Sequence, residues 1–132
     1  MAQRIVTNNP MVRDKLADKV EVEYHKTDFL GILQIIRNHV HAGEILLTHP
    51  LSGSVKPNET PYKSVLLDSS EHKTTDFNSV QLIESAQETA EKFIRLRPNY
   101  VERMTPKIHE DCQLIDYTLI ISSFPSAGIN LH

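Results

Sequence analysis

The side chains best suited to chemistry are concentrated in residues 48–63, which we call the proline-rich segment. Its sequence, THPLSGSVKPNETPYK, contains three prolines and one glycine. Because proline fixes its own φ angle, we expect an ordered loop that holds its polar groups in place. His49 supplies a titratable base and Lys56 a cation, and several hydroxyl groups accompany them. Such a set of groups suits a small anion, either a carboxylate or a phosphate.

Two asparagines near the start of the chain extend this candidate site. The chain has the sequence IVTNNP up to Pro10 and LLTHP up to Pro50, so two apolar strands end alike. In open α/β sheets, ligands bind at the carboxyl ends of the strands, near the point where the winding reverses. If the two strands are neighbours, their ends face one crevice. The predicted ligand-binding residues are Asn8, Asn9, Thr48, His49, Ser52, Gly53, Ser54 and Lys56.

Each of these residues also has an ordinary structural role open to it. Asn9 can cap a helix that begins at Pro10, and Asn8 can form a turn. His49 precedes a proline, and it could be a hydrogen-bonded loop histidine, a ligand donor or a general base. Lys56 could simply solvate a surface turn. Catalysis is unknown, and His49 is its candidate residue.

Motifs for common cofactors and metals are absent or poorly matched. The run from Ser52 to Lys56 is followed by no helix, unlike a phosphate loop, and the dinucleotide fingerprint G-x-G-x-x-G is missing. His39 and His41 are two residues apart on a predicted helix, so they point in different directions. Cys112 is the single cysteine, on an apolar helix face where a thiol acts as a small hydrophobe. We therefore expect no metal and no cofactor.

Strands that alternate with helices must position these groups. The predicted strands cover residues 4–7, 20–24, 44–48 and 63–68. The predicted helices cover residues 10–17, 28–41 and 76–97, and a last helix follows the Thr105-Pro106 pair. Capping residues followed by apolar residues at helical spacing indicate each helix. The apolar face of the long third helix begins with Phe77, and that of the last helix is Ile108, Cys112, Ile115 and Leu119. Residues 117–123 could form a strand instead.

The order of these elements predicts an α/β fold. We expect one domain over residues 1–132, with a polar tail at 122–132, and a mostly parallel, Rossmann-like sheet of four strands in the order 2-1-3-4, with helices on both faces. The third and fourth strands have unbroken apolar centres, as expected of central strands. The direction of the fourth strand is open. If it is parallel, Asp68 reaches the crevice; if it is antiparallel, Lys63 does.

Composition narrows the class of protein. The chain has 132 residues and a formal charge of −3, and its lysines and arginines do not interleave with aromatic residues, so we expect no nucleic-acid partner. Apolar runs fall short of the roughly 20 residues of a membrane span, and the start is too short and polar for a signal peptide. We expect a cytoplasmic protein, for which a homo-oligomer is compatible with the sequence.

The chain resembles the GrdX family through IVTNNP near its start and LLTHPLSGSVKPNETPYK in its middle. Members of this family are small accessory proteins encoded with the glycine, sarcosine and betaine reductases of amino-acid-fermenting anaerobes. The resemblance covers residues 4 to about 123. It implies a setting in an anaerobic cytoplasm, but it carries over no catalytic position.

Three hypotheses follow from the residues and the resemblance together. The first is an accessory protein that binds a small anion under the proline-rich segment. The second is a non-catalytic partner of a glycine reductase component. The third is a small enzyme that uses His49 as acid or base, with Lys56 stabilising an anionic intermediate.

Overall fold

Eight regular elements build the protein, as seen in a computed structural model that describes residues 2–51, 56–57, 59–70 and 74–130. The strands are β1 Gln3–Thr7, β2 Glu21–Tyr24, β3 Ile45–Leu46 and β4 Ser64–Asp68. The helices are α1 Pro10–Leu16, α2 Phe29–His41, α3 Phe77–Leu96 and α4 Pro106–Ser122. Single 3-10 turns follow at Val101–Arg103 and Pro125–Ala127.

The helices begin where the sequence predicts them, because local capping bonds set their starts. The side chains of Asn9, Asp28, Asp76 and Thr105 each accept a hydrogen bond from a backbone N–H of the first helical turn. Proline occupies the first helical position of α1 and α4, where its missing N–H costs nothing. The stretch 117–122 is helical, so the alternative of a strand there is wrong.

The sheet differs from the predicted one in strand order and direction. Within the described residues, the order is β2-β1-β4-β3, and the pair β1–β2 is parallel while β1–β4 and β3–β4 are antiparallel. The mostly parallel, Rossmann-like sheet in the order 2-1-3-4 is therefore wrong. A parallel return from β3 to β4 requires a crossover, usually a helix, and the described residues between the two strands form none. The chain instead turns back at the edge where β3 ends.

This topology makes β4 a central strand beside β1, and β3 an edge strand. All five residues of β4 are buried, whereas both residues of β3 are only half-buried, so the prediction that β3 is central is wrong. The side chain of Ser79 covers the outer edge of β3: its hydroxyl accepts from the backbone N–H of Leu46 at 3.0 Å and donates to Asp76 at 2.7 Å. That contact satisfies an edge amide, which would otherwise be open to pairing.

Helices cover both faces of the sheet, as the sequence predicts. Helices α2 and α3 lie on one face, over Val6, Val65 and Leu67. Helices α1 and α4 lie on the other, with Ile5 and Leu66. The alternation along β1 and β4 therefore divides the apolar core into two layers.

Helix α4 is rotated relative to its predicted orientation. Its buried residues are Cys112, Asp116 and Ile120, while Ile108 and Ile115 are 41% and 44% exposed. The predicted stripe through Ile108 and Ile115 is therefore wrong, and a carboxylate faces the sheet. On α3 the predicted stripe also fails at its start, because Phe77 is 71% exposed. In the segment predicted as a polar tail, Phe124 is buried against the α1 and α4 layer.

Candidate functional site

A cluster of buried polar residues lies where β1 ends and β4 begins. We call it the polar cluster, and its members are Thr7, Asn8, Asn9, Ser64 and Asp116. The antiparallel β1–β4 pairing places Thr7 opposite Ser64 in the register. Because both residues face the α1 and α4 side, helix α4 can bring Asp116 against them.

Asn8 joins three parts of the chain through its side-chain amide. The Nδ2 group donates to the carbonyls of Thr27 at 2.9 Å and Pro61 at 2.7 Å. The Oδ1 atom accepts from the backbone N–H of Lys63 at 2.8 Å. Asn8 therefore anchors the end of the proline-rich segment to the loop before α2.

Asn9 has the capping role that its position before Pro10 suggests, together with a second role. Its Oδ1 atom accepts from the N–H of Met11 at 3.0 Å. Its Nδ2 group donates to the carbonyl of Gln113 at 2.9 Å and to the carboxylate of Asp116 at 3.0 Å. Asn9 thus fastens α4 to the start of α1.

Asp116 ends a chain of hydroxyl groups. Ser64 donates to it twice, from its backbone N–H at 3.1 Å and from its hydroxyl at 2.6 Å. The hydroxyls of Thr7 and Ser64 are 2.6 Å apart, and because the Ser64 proton is directed to Asp116, Thr7 must be the donor to Ser64. Two donors of Ser64 and one of Asn9 therefore orient the carboxylate of Asp116 directly, and the hydroxyl of Thr7 acts through Ser64.

A cavity of about 410 Å³ opens beside the polar cluster, between β3, β4 and α4. We call it the Lys63 cavity. Its polar wall includes Thr48, His49, Lys63, Ser64, Asp116 and Ser126. Its volume lies within the range of small-molecule sites. Lys63 and Asp116, a cation and an anion that are both buried, line the same space.

Burial changes the pKa of Lys63. Loss of solvent lowers the pKa of Lys63, and the nearby negative charge of Asp116 opposes that change without cancelling it.

Two serines that line the cavity present hydrogen-bond acceptors to it rather than donors. The hydroxyls of Ser122 and Ser123 donate to the carbonyls of Leu119 and Ile120 in their own helix, so they offer lone pairs to the cavity.

Thr48 and His49 line the cavity, as expected of the end of β3. The hydroxyl of Thr48 accepts from the backbone N–H of Leu66 at 3.1 Å and so extends the sheet ladder. The Nδ1 atom of His49 accepts from the N–H of Leu51 at 3.0 Å. A neutral His49 ring therefore carries its proton on Nε2, which makes it a donor.

The structure separates Asn8, Asn9 and Lys56 from these two. Strand β4 lies between β1 and β3, so the expected crevice between Asn8 and His49 is filled by the start of β4. Lys56 lies toward α3, with its Nζ atom 5.9 Å from the ring centre of Phe93, and it does not line the Lys63 cavity. Ser52, Gly53 and Ser54 lie outside the described residues.

Sequence reasoning named Lys63 only for the case of an antiparallel β4, and it missed Asp116. A signal for Asp116 was present: Cys112, Asp116, Ile120 and Phe124 recur every four residues and are all buried. Reading that alternative stripe would have placed one carboxylate on the inner face of α4.

A second charged cluster lies on the opposite face of the sheet. His39 of α2 contacts the carboxylate of Glu23 at 2.7 Å and also bonds to Glu44, while Arg4 bonds to Glu44 at 3.2 Å. Burial alone lowers the pKa of His39, but the two carboxylates outweigh burial and raise it. Burial alone raises the pKa of Glu23, but His39 and His25 outweigh burial and lower it.

Comparison with known proteins places the chain in a family. The family model described as GrdX-like protein matches residues 4–125. The chain belongs to the GrdX-like protein family. Membership confirms the resemblance seen in the sequence and points to an accessory protein of the glycine reductase type. No curated protein and no solved structure matches the chain.

None of the described helices is both long and apolar enough to cross a membrane. In the part of the chain that the structure describes, no group of three or more His, Cys, Asp or Glu residues is placed to hold a metal ion.

Proposed function

We propose that this GrdX-like chain is an accessory protein that binds a small anionic molecule, a carboxylate or a phosphate, in the Lys63 cavity. The observation that carries the proposal is the position of Lys63, which is 7% exposed at the wall of a space of about 410 Å³. A cation inside a low-dielectric wall attracts an anion more strongly than a surface lysine does. The ligand would come from the metabolism in which the glycine reductase components act.

Four of the predicted residues, Thr48, His49, Asn8 and Asn9, fit this proposal in two different ways. His49 and Thr48 lie at the cavity, and the Nε2 proton of a neutral His49 suits an anionic oxygen. Asn8 and Asn9 act behind the wall, because their amides bond to the protein itself and hold β1, α4 and the proline-rich segment together. In this proposal Thr48 and His49 contact the ligand, and Asn8 and Asn9 support the wall of the cavity.

Calorimetry with acetate, glycine, betaine, sarcosine, phosphate and acetyl phosphate would test the proposal, with thermal unfolding as a second measurement. A ligand at a hundred times its Kd stabilises the folded state by about 2.7 kcal/mol, or roughly 10 °C in Tm for a chain of this size. We expect at least one compound to bind the native chain and the Lys56→Met control, and to bind Lys63→Met at least tenfold more weakly. Binding by none of them, or equal binding by Lys63→Met, would refute the proposal.

A second candidate function is docking to a glycine reductase component. It is favoured by one observation: Ile108 and Ile115 lie seven residues apart on one line of α4, and both are more than 40% exposed. Surface plasmon resonance with each purified reductase component, comparing native protein with Ile115→Glu, would test it. Binding that is lost in Ile115→Glu supports docking, and absence of binding to every component excludes it.

The third hypothesis, an enzyme that uses His49 as base, has less support. A base needs a ring nitrogen that can accept a proton, and Nδ1 of His49 already accepts from Leu51. The structure therefore favours His49 as a donor.

A further inference from the structure

Lys63 has surroundings that differ from those of a surface lysine. Lys63 lines the Lys63 cavity and also a smaller void of about 20 Å³, whose wall combines apolar residues such as Phe29 and Leu119 with polar ones such as Asp116. The smaller void is large enough for about one water molecule. Lys63 is thus a buried lysine that lines a space large enough for a small molecule.

These surroundings change the chemistry of the amine. Burial lowers the pKa of Lys63, and the charge of Asp116 only partly opposes that effect. A lysine with a lowered pKa has a larger neutral fraction at neutral pH, and the neutral amine is the nucleophile that attacks carbonyl groups. Lys56, by contrast, is exposed.

We propose that Lys63 forms a reversible imine with a small aldehyde or ketone that enters the Lys63 cavity. The inference rests on the cavity of the proposed function and deepens it, since it names a carbonyl compound as the class of ligand. The neutral amine attacks the carbonyl carbon, a C–N bond forms, and one amine proton passes to the carbonyl oxygen. The resulting carbinolamine takes up one proton from solvent and loses water. The product is a protonated imine, with no oxidant or reductant involved.

Asp116 is positioned to favour this product. The neutral amine has no charge, whereas the protonated imine is a cation, so a fixed carboxylate nearby stabilises the product more than the reactant. Ser64 fixes Asp116 through two hydrogen bonds, and Asn9 adds a third. Because these donors are neutral, the negative charge of Asp116 remains to act on the imine. Asp116 is thus a positioning residue for the reaction at Lys63.

Trapping with cyanoborohydride tests the inference in the intact chain. Native protein at pH 7 is incubated with glyoxylate and cyanoborohydride, which reduces a protonated imine to a stable secondary amine. Peptide mapping by mass spectrometry then gives the labelling rate of each lysine. We expect Lys63 to be labelled at least tenfold faster than Lys56, and this selectivity to disappear in 8 M urea, roughly the concentration that unfolds most domains. Equal rates in the native chain, or selectivity that survives unfolding, would overturn the inference.

Two variants and one ligand separate this inference from the proposed function. Lys63→Arg keeps the positive charge but cannot form an imine, so we expect it to lose the fast label, whereas Lys56→Arg should keep it. Glycolate has the carboxylate of glyoxylate but no carbonyl group. If glycolate binds and no adduct forms at Lys63, the inference fails and anion binding stands. If the adduct forms while no anion binds in calorimetry, the inference stands and the proposed function fails.

Discussion

Ser64 donates two hydrogen bonds to the carboxylate of Asp116, one from its backbone N–H at 3.1 Å and one from its hydroxyl at 2.6 Å. The two residues are 52 positions apart in the chain. This contact joins the first residue of β4 to the inner face of α4, and it fixes the wall of the Lys63 cavity. Four predictions follow from this frame and from the charged cluster on the opposite face.

Replacing Asp116 should destabilise the fold strongly. Asp116→Ala leaves the N–H and hydroxyl of Ser64 and the amide of Asn9 without their acceptor inside the protein. We expect a loss of about 3 kcal/mol in the free energy of unfolding. Urea denaturation followed by circular dichroism measures the loss.

Asp111 provides the control for that experiment. It lies on the same helix and is exposed, where it pairs with Lys107 four residues earlier. Asp111→Ala should cost less than about 0.5 kcal/mol. Similar losses for the two variants would show that the buried contacts of Asp116 contribute little.

Asn8 should tolerate neither truncation nor a charge. Asn8→Ala removes three hydrogen bonds, and we expect a loss of about 2 kcal/mol. Asn8→Asp should cost at least as much at neutral pH, because a carboxylate would face the carbonyl oxygens of Thr27 and Pro61. Chemical denaturation of both variants tests this, with the exposed Asn38→Ala as control. A stable Asn8→Asp protein would contradict the assigned orientation of the amide.

Ser79 should contribute to the stability of the fold through its contact with the edge strand β3 as well as through its place in α3. Ser79→Ala deprives the N–H of Leu46 of its acceptor, and the expected cost is about 1 to 2 kcal/mol. The exposed Ser85→Ala on the same helix should change stability by no more than about 0.5 kcal/mol. Hydrogen exchange at the Leu46 amide gives a local readout. Unchanged protection there in Ser79→Ala would argue against the contact.

His39 and Glu23 should make stability depend on pH in a defined window. The pKa of His39 is raised, so its contribution is complete below about pH 6.5 and is lost as the pH rises through the folded value. The pKa of Glu23 is lowered, so its contribution is present above about pH 4.3 and is lost as the pH falls through the folded value. Their joint contribution is therefore greatest between these two values.

His39→Gln tests this pH dependence when thermal unfolding is followed across the pH range. The stability difference from the native protein should be about 1 kcal/mol near pH 5.5 and should shrink as the pH rises. The exposed His41→Gln, on the same helix, serves as control. A difference for His39→Gln that does not change with pH would rule out the charged form of His39 as its source.

The sequence was sufficient for the features that depend on neighbouring residues. The starts of α1, α2, α3 and α4 were predicted because a capping side chain and the N–H it binds are two or three residues apart. Family membership could also be predicted from the sequence, because each of the two motifs that carry the resemblance is an uninterrupted run of residues. The ligand-binding residues stay a prediction: Thr48 and His49 line a cavity, whereas Lys56 lies elsewhere.

Only the tertiary structure decided which residues surround the cavity. The insertion of β4 between β1 and β3 depends on the path of the chain after β3. Parallel and antiparallel pairing differ only slightly in stability per residue, so the residues of a strand do not by themselves specify that path. The rotation of α4 depends on whether donors are available to Asp116. Three of them come from Asn9 and Ser64, which are distant from it in sequence, and Thr7 supports the Ser64 hydroxyl. A buried carboxylate is stable only with such partners, so its position is a property of the whole fold.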